Sequence, residues 1–188
     1  MRFRTWGGKR KRAGRKPAGA RAGVSHLARE RFARTLPVHV TVRMASHVYG
    51  LRSRRCFGAV GRAIGAAAER FGVRIVQFSV QGNHVHLVVE AGSNEALARA
   101  MQGFSIRVAK GLNRVMGRRG RVLADRYHAR ALRTPTEVRR ALAYVRDNFG
   151  KHTGERVRAD SFSSAAGEVA LPAPHTWLLR TGWRRAPP

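Results

Sequence analysis

Acidic residues are scarce in this chain: ten Asp and Glu stand against 38 Lys and Arg in 188 residues, a formal net charge of +28. The ten are Glu30, Glu69, Glu90, Glu95, Asp125, Glu137, Asp147, Glu155, Asp160 and Glu168. Most fall at expected helix ends or in loops, with no trio on adjacent strand tips. Two-metal phosphoryl transfer needs clustered carboxylates to hold its ions, so carboxylate-based chemistry of that kind is disfavoured. Cysteine is scarcer still. Cys56 stands alone, which excludes an internal disulfide framework and fits a reducing compartment. No apolar run is long enough to span a bilayer, so no membrane partner is expected. The opening MRFRTWGGKRKRAGRKP lacks an apolar core segment, and the expectation is that it is not a secretory signal.

What is abundant is positive charge. A chain this basic repels itself unless a polyanion neutralises it, which points to nucleic acid as partner. Residues 1–35 hold twelve Lys and Arg and one acid. They are expected to form a flexible basic arm, with Arg10, Lys11, Arg12, Arg15 and Lys16 as phosphate contacts. Residues 36–152 carry the regular patterning of a folded domain, and residues 153–188 read as a C-terminal extension anchored by the tryptophans of TWLLRTGW.

Within the middle region LPVHVTVRM alternates, with Val38, Val40 and Val42 on one face and His39, Thr41 and Arg43 on the other: a half-buried strand. Phe57, Val60, Ile64, Ala68 and Phe71 keep helical spacing up to a stop at Gly72. VRIVQFSV and HVHLVVEA are two strands joined by the turn Gln81-Gly82-Asn83. Ser93 or Asn94 caps a helix whose stripe is Leu97, Met101, Phe104, Val108, Leu112 and Val115. A basic GRRGR loop follows, with Arg118, Arg119 and Arg121 as further phosphate contacts. HARALRT is then a fourth strand, and a last helix from Pro135 to His152 lays down Val138, Leu142, Val145 and Phe149. This order predicts an α+β, ferredoxin-like antiparallel sheet (βαββαβ), helices on one face and the other face open, plus an additional C-terminal helix.

The unusual feature is QGNHVHLVVE. In an extended strand His84 and His86 project to the same side, the open one, while Val85, Leu87 and Val89 face the helices. Imidazoles two residues apart sit close enough to share one divalent ion. Alone, such a pair also suits ordinary hydrogen-bonded or DNA-contacting side chains. The last helix adds Tyr144, Asn148 and His152 at i, i+4 and i+8, a line beside the apolar stripe. Asn offers an amide oxygen to a hard ion such as Mg²⁺ or Mn²⁺, and Tyr a hydroxyl; a plain boundary aromatic is the alternative for Tyr144. Tyr49 and Tyr127 have no amide one helical turn away.

NHVHLVVE resembles the His–hydrophobic–His motif of HUH endonucleases. Together with AYVRDN it is similar to the single-tyrosine HUH transposases, particularly the REP-associated tyrosine transposases of bacteria, and DRYHARAL is similar to that family's aromatic-rich lead into the fourth strand. The resemblance covers roughly residues 36–152 and leaves out arm and tail. It implies that His84, His86 and Asn148 hold one divalent ion, Mg²⁺ or Mn²⁺. Tyr144 is then the nucleophile that forms a 5′-phosphotyrosine on single-stranded DNA beside a hairpin. A bacterial cytoplasm, in association with the nucleoid, and a second copy of the chain as a candidate partner also follow. The family often places Pro after the Asn, where this chain has Phe149. His39 faces the same side as the two histidines and, like His152, is a candidate to support the metal site.

A non-catalytic or domesticated hairpin-DNA or RNA binder is the rival reading, since an open ferredoxin-like sheet is also the platform of RNA-recognition modules. Those stack bases on sheet aromatics, whereas here the open face offers His39, Thr41, His84 and His86. That difference favours the enzyme.

Overall fold

The computed structural model describes residues 31–32, 34–153 and 160–187. The proposed phosphate contacts Arg10, Lys11, Arg12, Arg15 and Lys16 lie outside the described residues.

Strand β1 (Leu36–Arg43) buries Val38, Val40 and Val42 on one face. Helix α1 (Arg54–Ala67) starts where Ser53 accepts a hydrogen bond from the Cys56 N–H at 3.4 Å. It stops at Ala67, four residues short of the apolar position expected at Phe71. Glu69–Arg70 form a two-residue strand β2, which turns through Phe71 and Gly72 into β3 (Val73–Val80). Phe71 and Gly72 both have positive φ, 56° and 72°. That is the requirement of a type I′ hairpin turn, whose twist matches the strands it joins. Gly72 therefore serves a hairpin, and Phe71 leaves the core to stand exposed.

Strand β4 (His84–Ala91) pairs with both β3 and β1. The β3–β4 register jumps from Ile75↔Val89 to Gln77↔Val88, so Val76 is an extra residue, a bulge. The bulge lets Ile75 and Phe78, three residues apart, point into the same core. Helix α2 (Asn94–Val115) is capped by Ser93, which accepts from the Ala96 N–H at 3.1 Å. It buries Leu97, Met101, Phe104, Val108 and Leu112. Strand β5 (His128–Ala131) is short and pairs only with β1.

Helix α3 (Pro135–Thr153) opens with a reciprocal cap. Thr134 Oγ1 accepts from the Glu137 N–H, while the Glu137 carboxylate accepts from the N–H groups of Arg133 and Thr134. The hydrogen bond from the Arg133 N–H is the main reason the Glu137 carboxyl is held below its usual range.

The sheet order is β2-β3-β4-β1-β5, antiparallel throughout. Apart from the added β2 this is the expected ferredoxin-like arrangement, with α1 and α2 over one face and the main core between them. The second face is not open. Val88, Leu132, Val138, Ala141, Val145 and Leu179 form a smaller core there, flanked by Val76, Leu142 and Trp183. Val76 and Val88 present an apolar patch on that face, and α3 covers it.

The described part of the C-terminal extension packs on both sides of the sheet: Phe162, Val169 and Leu171 lie against the main core, Leu179 and Trp183 in the second. The Val80 N–H donates to the Phe162 carbonyl at 2.8 Å, and Ser163 bridges to Ser79. A short helix α4 (Trp177–Arg180) follows. Of the two tryptophans expected to anchor the tail only Trp183 packs against the second core. Trp177 is 52% exposed, and Leu179 is the buried anchor. Among the described residues no helix is long and apolar enough to cross a membrane.

Candidate active site

β-Strand alternation puts His84, His86, Val88 and Glu90 on the second face, and pairing sets His39, Thr41 and Arg43 of β1 beside them. The imidazole rings of His84 and His86 stand 4.7 Å apart between centroids. His86, 4% exposed, has Nδ1 within 3.1 Å of Thr41 Oγ1 and 3.2 Å of His39 Nε2. His84 Nδ1 lies 2.8 Å from Asn83 Oδ1, an acceptor, so Nδ1 carries the proton and the Nε2 lone pair is directed outward. Burial, with the charges of His128 and Arg130 adding to it, pulls the His39 imidazole down to about 4. His39 is therefore neutral at neutral pH and able to accept the His86 Nδ1 proton, a contact that directs His86 through its other nitrogen.

Tyr144 reaches this cluster from α3. Its ring stands edge-on to His86 at 5.1 Å and to His39 at 5.8 Å, and it keeps 38% of its surface exposed. The competing tyrosines do not suit such a site. Tyr49 is exposed, and Tyr127 packs partly buried against the main core ahead of β5.

Asn148 sits elsewhere than its spacing suggested. The buried stripe of α3 is Val138, Ala141 and Val145, continued by Asn148 itself at 1% exposure, while Leu142 and Phe149 flank it. Asn148 thus lies in the stripe rather than beside it. Neither its amide oxygen nor its amide nitrogen has a hydrogen-bond partner among the described residues. A buried amide left in that state costs about 1–3 kcal/mol for each unsatisfied group. A divalent cation on the oxygen is the kind of partner that would offset it. The donor set fits a divalent ion: two imidazoles held by oxygen or nitrogen partners at Nδ1, and one uncommitted amide oxygen. No group of three or more His, Cys, Asp or Glu suited to a metal occurs among the described residues. The side chain of His152 lies outside the described residues.

The end of α3 is held by a device that the sequence did not reveal. The Arg52 guanidinium lies 3.6 Å from the Phe149 ring centroid and 4.4 Å from that of Phe162. It donates to both carboxylate oxygens of buried Asp160 at 2.7 and 2.9 Å, and to the Val80 carbonyl at 2.9 Å. Phe149, standing where the resemblance led one to expect proline, is thus the stacking partner of an arginine beside Asn148. Replacing Arg52 by Ala strands the Asp160 carboxylate, and a loss of about 3 kcal/mol is expected, measurable as a lowered urea midpoint with unchanged slope.

Of the loop arginines, Arg119 is exposed, while Arg121 folds back onto the Leu123 and Ala124 carbonyls and Arg118 onto that of Arg121. Sequence reasoning passed over basic side chains nearer the histidines. Exposed Arg43 pairs across from His84, Arg130 from His39 and His128 from Thr41. The alternation of HARA carries that signal once β5 is placed next to β1.

A family model described as "Transposase IS200 like" matches residues 36–148. Among solved structures, a REP-associated tyrosine transposase bound to a REP hairpin superposes with a TM-score of 0.58 at 16% identity, over 74% of this chain and 82% of that one. A protein of Deinococcus radiodurans R1, named provisionally as a transposase, gives a TM-score of 0.45 at 13% identity, over 54% of this chain and 82% of that one. No functionally curated protein matches the chain.

Proposed function

Because the chain belongs to the IS200-like transposase family, we propose that it cuts and rejoins single-stranded DNA beside hairpins, with Tyr144 as nucleophile. His84, His86 and Asn148 hold one divalent ion, Mg²⁺ or Mn²⁺. The observation that carries the reading is the convergence of Tyr144 on His86 from a separate element, next to a buried asparagine whose amide has no hydrogen-bond partner among the described residues.

When bound there, such an ion supplies Lewis acidity that offsets charge gathering on the phosphate. The chain's own residues do the rest. His39 and Thr41 orient His86, and Asn83 orients His84. Tyr144, 38% exposed, meets the scissile phosphate. Its oxygen bonds to phosphorus as the phosphorus–O3′ bond breaks; the phenolic proton goes to solvent and the departing 3′ oxygen takes one up. The products are a 5′-phosphotyrosine and a 3′-hydroxyl. The phosphodiester energy is kept, so a 3′-hydroxyl from another strand end can reverse the step without ATP. Arg43, Arg119 and Arg130 stand as phosphate contacts, which position a strand without reading its sequence.

The test uses 5′- and 3′-labelled hairpin oligonucleotides with single-stranded flanks, with Mn²⁺ or with EDTA, on denaturing gels. A Mn²⁺-dependent covalent protein–DNA band is expected. Binding without any adduct, over a broad set of hairpins, would leave a DNA-binding protein and end the catalytic reading. His39→Ala should lower the cleavage rate about 10- to 100-fold, the usual cost of losing a group that orients a ligand, while hairpin affinity stays the same. Unchanged cleavage would remove His39 from the site.

A further inference from the structure

Trp177 is an exposed tryptophan held in a rigid setting. Just before it, the N–H groups of His175 and Thr176 donate to the Glu90 carboxylate at 2.6 to 3.0 Å, and Glu90 is 2% exposed at the end of β4. This is the one use the fold makes of that buried carboxylate among the contacts described: it fastens the first turn of α4 to the strand that carries His84 and His86. Behind the indole lies Gly182, where an added Cβ would fall 2.7 Å from a ring atom. The glycine is required by this close approach; any side chain at 182 would push the ring off its seat. The six-membered ring of the indole is therefore backed by bare backbone, and more than half of the residue's surface remains open.

The open side borders a pocket of about 400 Å³ lined by Arg34, Thr35, Leu36, Arg133 and Pro135. Two of these are cations, none is acidic, and the Arg185 guanidinium lies 5.8 Å from the indole centroid. The place of the pocket relative to the active site follows from chain geometry. From His86 to Glu90 is four residues of strand, roughly 13 Å. From Tyr144 back to Pro135 is nine residues of helix, again roughly 13 Å. A flat aromatic platform ringed by arginines, at a distance that a few nucleotides of extended strand can span, matches the chemistry of single-strand binding: base on aromatic, phosphate on cation.

We propose that Trp177 and this pocket form a nucleobase-stacking subsite, which takes an unpaired base of the strand that runs from Tyr144, with Arg34, Arg133 and Arg185 holding its flanking phosphates. The proposal rests on the single-stranded DNA reading above for the identity of the ligand, and adds a position at which the protein grips the strand away from the scissile bond. An apolar protein partner is the other class of occupant for an exposed tryptophan. The arginine ring and the chain's net charge of +28 favour DNA.

The test is binding, in EDTA so that no cutting occurs. Hairpin oligonucleotides with single-stranded flanks carry one abasic position each, moved along the flank, and affinity is measured by fluorescence anisotropy. One abasic position should weaken binding to the wild type about 5- to 100-fold, the usual range for one stacked base, and should leave Trp177→Ala indifferent. Trp177→Phe should restore most of the affinity, which a fold defect would not allow. Gly182→Val, which displaces the ring without deleting it, should behave like Trp177→Ala. A flat abasic scan on the wild type overturns the proposal. So does a Trp177→Ala protein that binds as well as wild type, or one whose sole change is dissociation of a dimer in sedimentation. The two readings fail separately. A position-dependent scan with no adduct under any metal keeps the subsite and discards the Tyr144 chemistry; adducts with a flat scan do the reverse.

Discussion

Tyr144→Phe should abolish the covalent protein–DNA band and leave hairpin binding at its wild-type level. The substitution removes one oxygen. The ring that stands edge-on to His39 and His86 remains, on a residue that is 38% exposed. Stability should therefore stay within about 0.5 kcal/mol, as for surface changes away from special features. Cleavage has no such reserve. A nucleophile is not a graded contributor, and its loss costs on the order of 10⁴-fold or more wherever a covalent intermediate is obligatory. Tyr49→Phe and Tyr127→Phe are the matched controls, one on an exposed residue and the other on a residue partly buried against the main core. Both should form adducts at the wild-type rate, allowing for some loss of stability at Tyr127. Persistence of the band in Tyr144→Phe, or its loss in Tyr49→Phe, would move the nucleophile elsewhere and dismantle the site.

The histidine half of this site was legible in the sequence because strand geometry is simple. A period of two decides that His84 and His86 share a face, and the ferredoxin-like order decides that β1 brings His39 to them. The helix half was harder. Val138, Leu142, Val145 and Phe149 make as good an apolar stripe as Val138, Ala141, Val145 and Asn148, and periodicity prefers the first because it contains no polar residue. The fold chose the second, which turns Asn148 inward. A polar residue in a buried stripe reads as a boundary until the packing partner is known. The end of α1 failed for a related reason. Phe71 continues the helical spacing, and the Phe71-Gly72 turn does not look like the Asn-Gly or Asp-Gly that usually announces a type I′ hairpin. The contacts among Arg52, Asp160, Phe149 and Phe162, and those among Glu90, His175 and Thr176, join segments far apart in sequence. No local pattern encodes them.

Asn148→Leu separates stability from function at the candidate metal site. The Asn148 amide is buried, and neither of its polar atoms is paired to a described residue. An apolar side chain of similar size in the stripe with Val138, Ala141 and Val145 removes that cost. The metal-free variant should be more stable than wild type by about 1–3 kcal/mol, which for a domain of this size raises Tm by about 2–4 °C per kcal/mol. Added Mn²⁺ should raise the Tm of the wild type, because a ligand that binds only the folded state stabilises it in proportion to the logarithm of its concentration over Kd. The leucine variant should show little of that response, and its cleavage should fall more than about 100-fold, beyond the loss typical of residues that merely orient a ligand. Asn148→Asp gives the opposite signature. A buried carboxylate without its cation destabilises the metal-free protein, and the added negative charge enlarges the Mn²⁺ response. These paired signs are what a metal-ligand role demands. If Asn148 were a structural residue satisfied within the fold, leucine would lower stability rather than raise it, and neither variant would alter the response to Mn²⁺. Either of those results would detach Asn148 from the metal and leave His84 and His86 short of a third ligand.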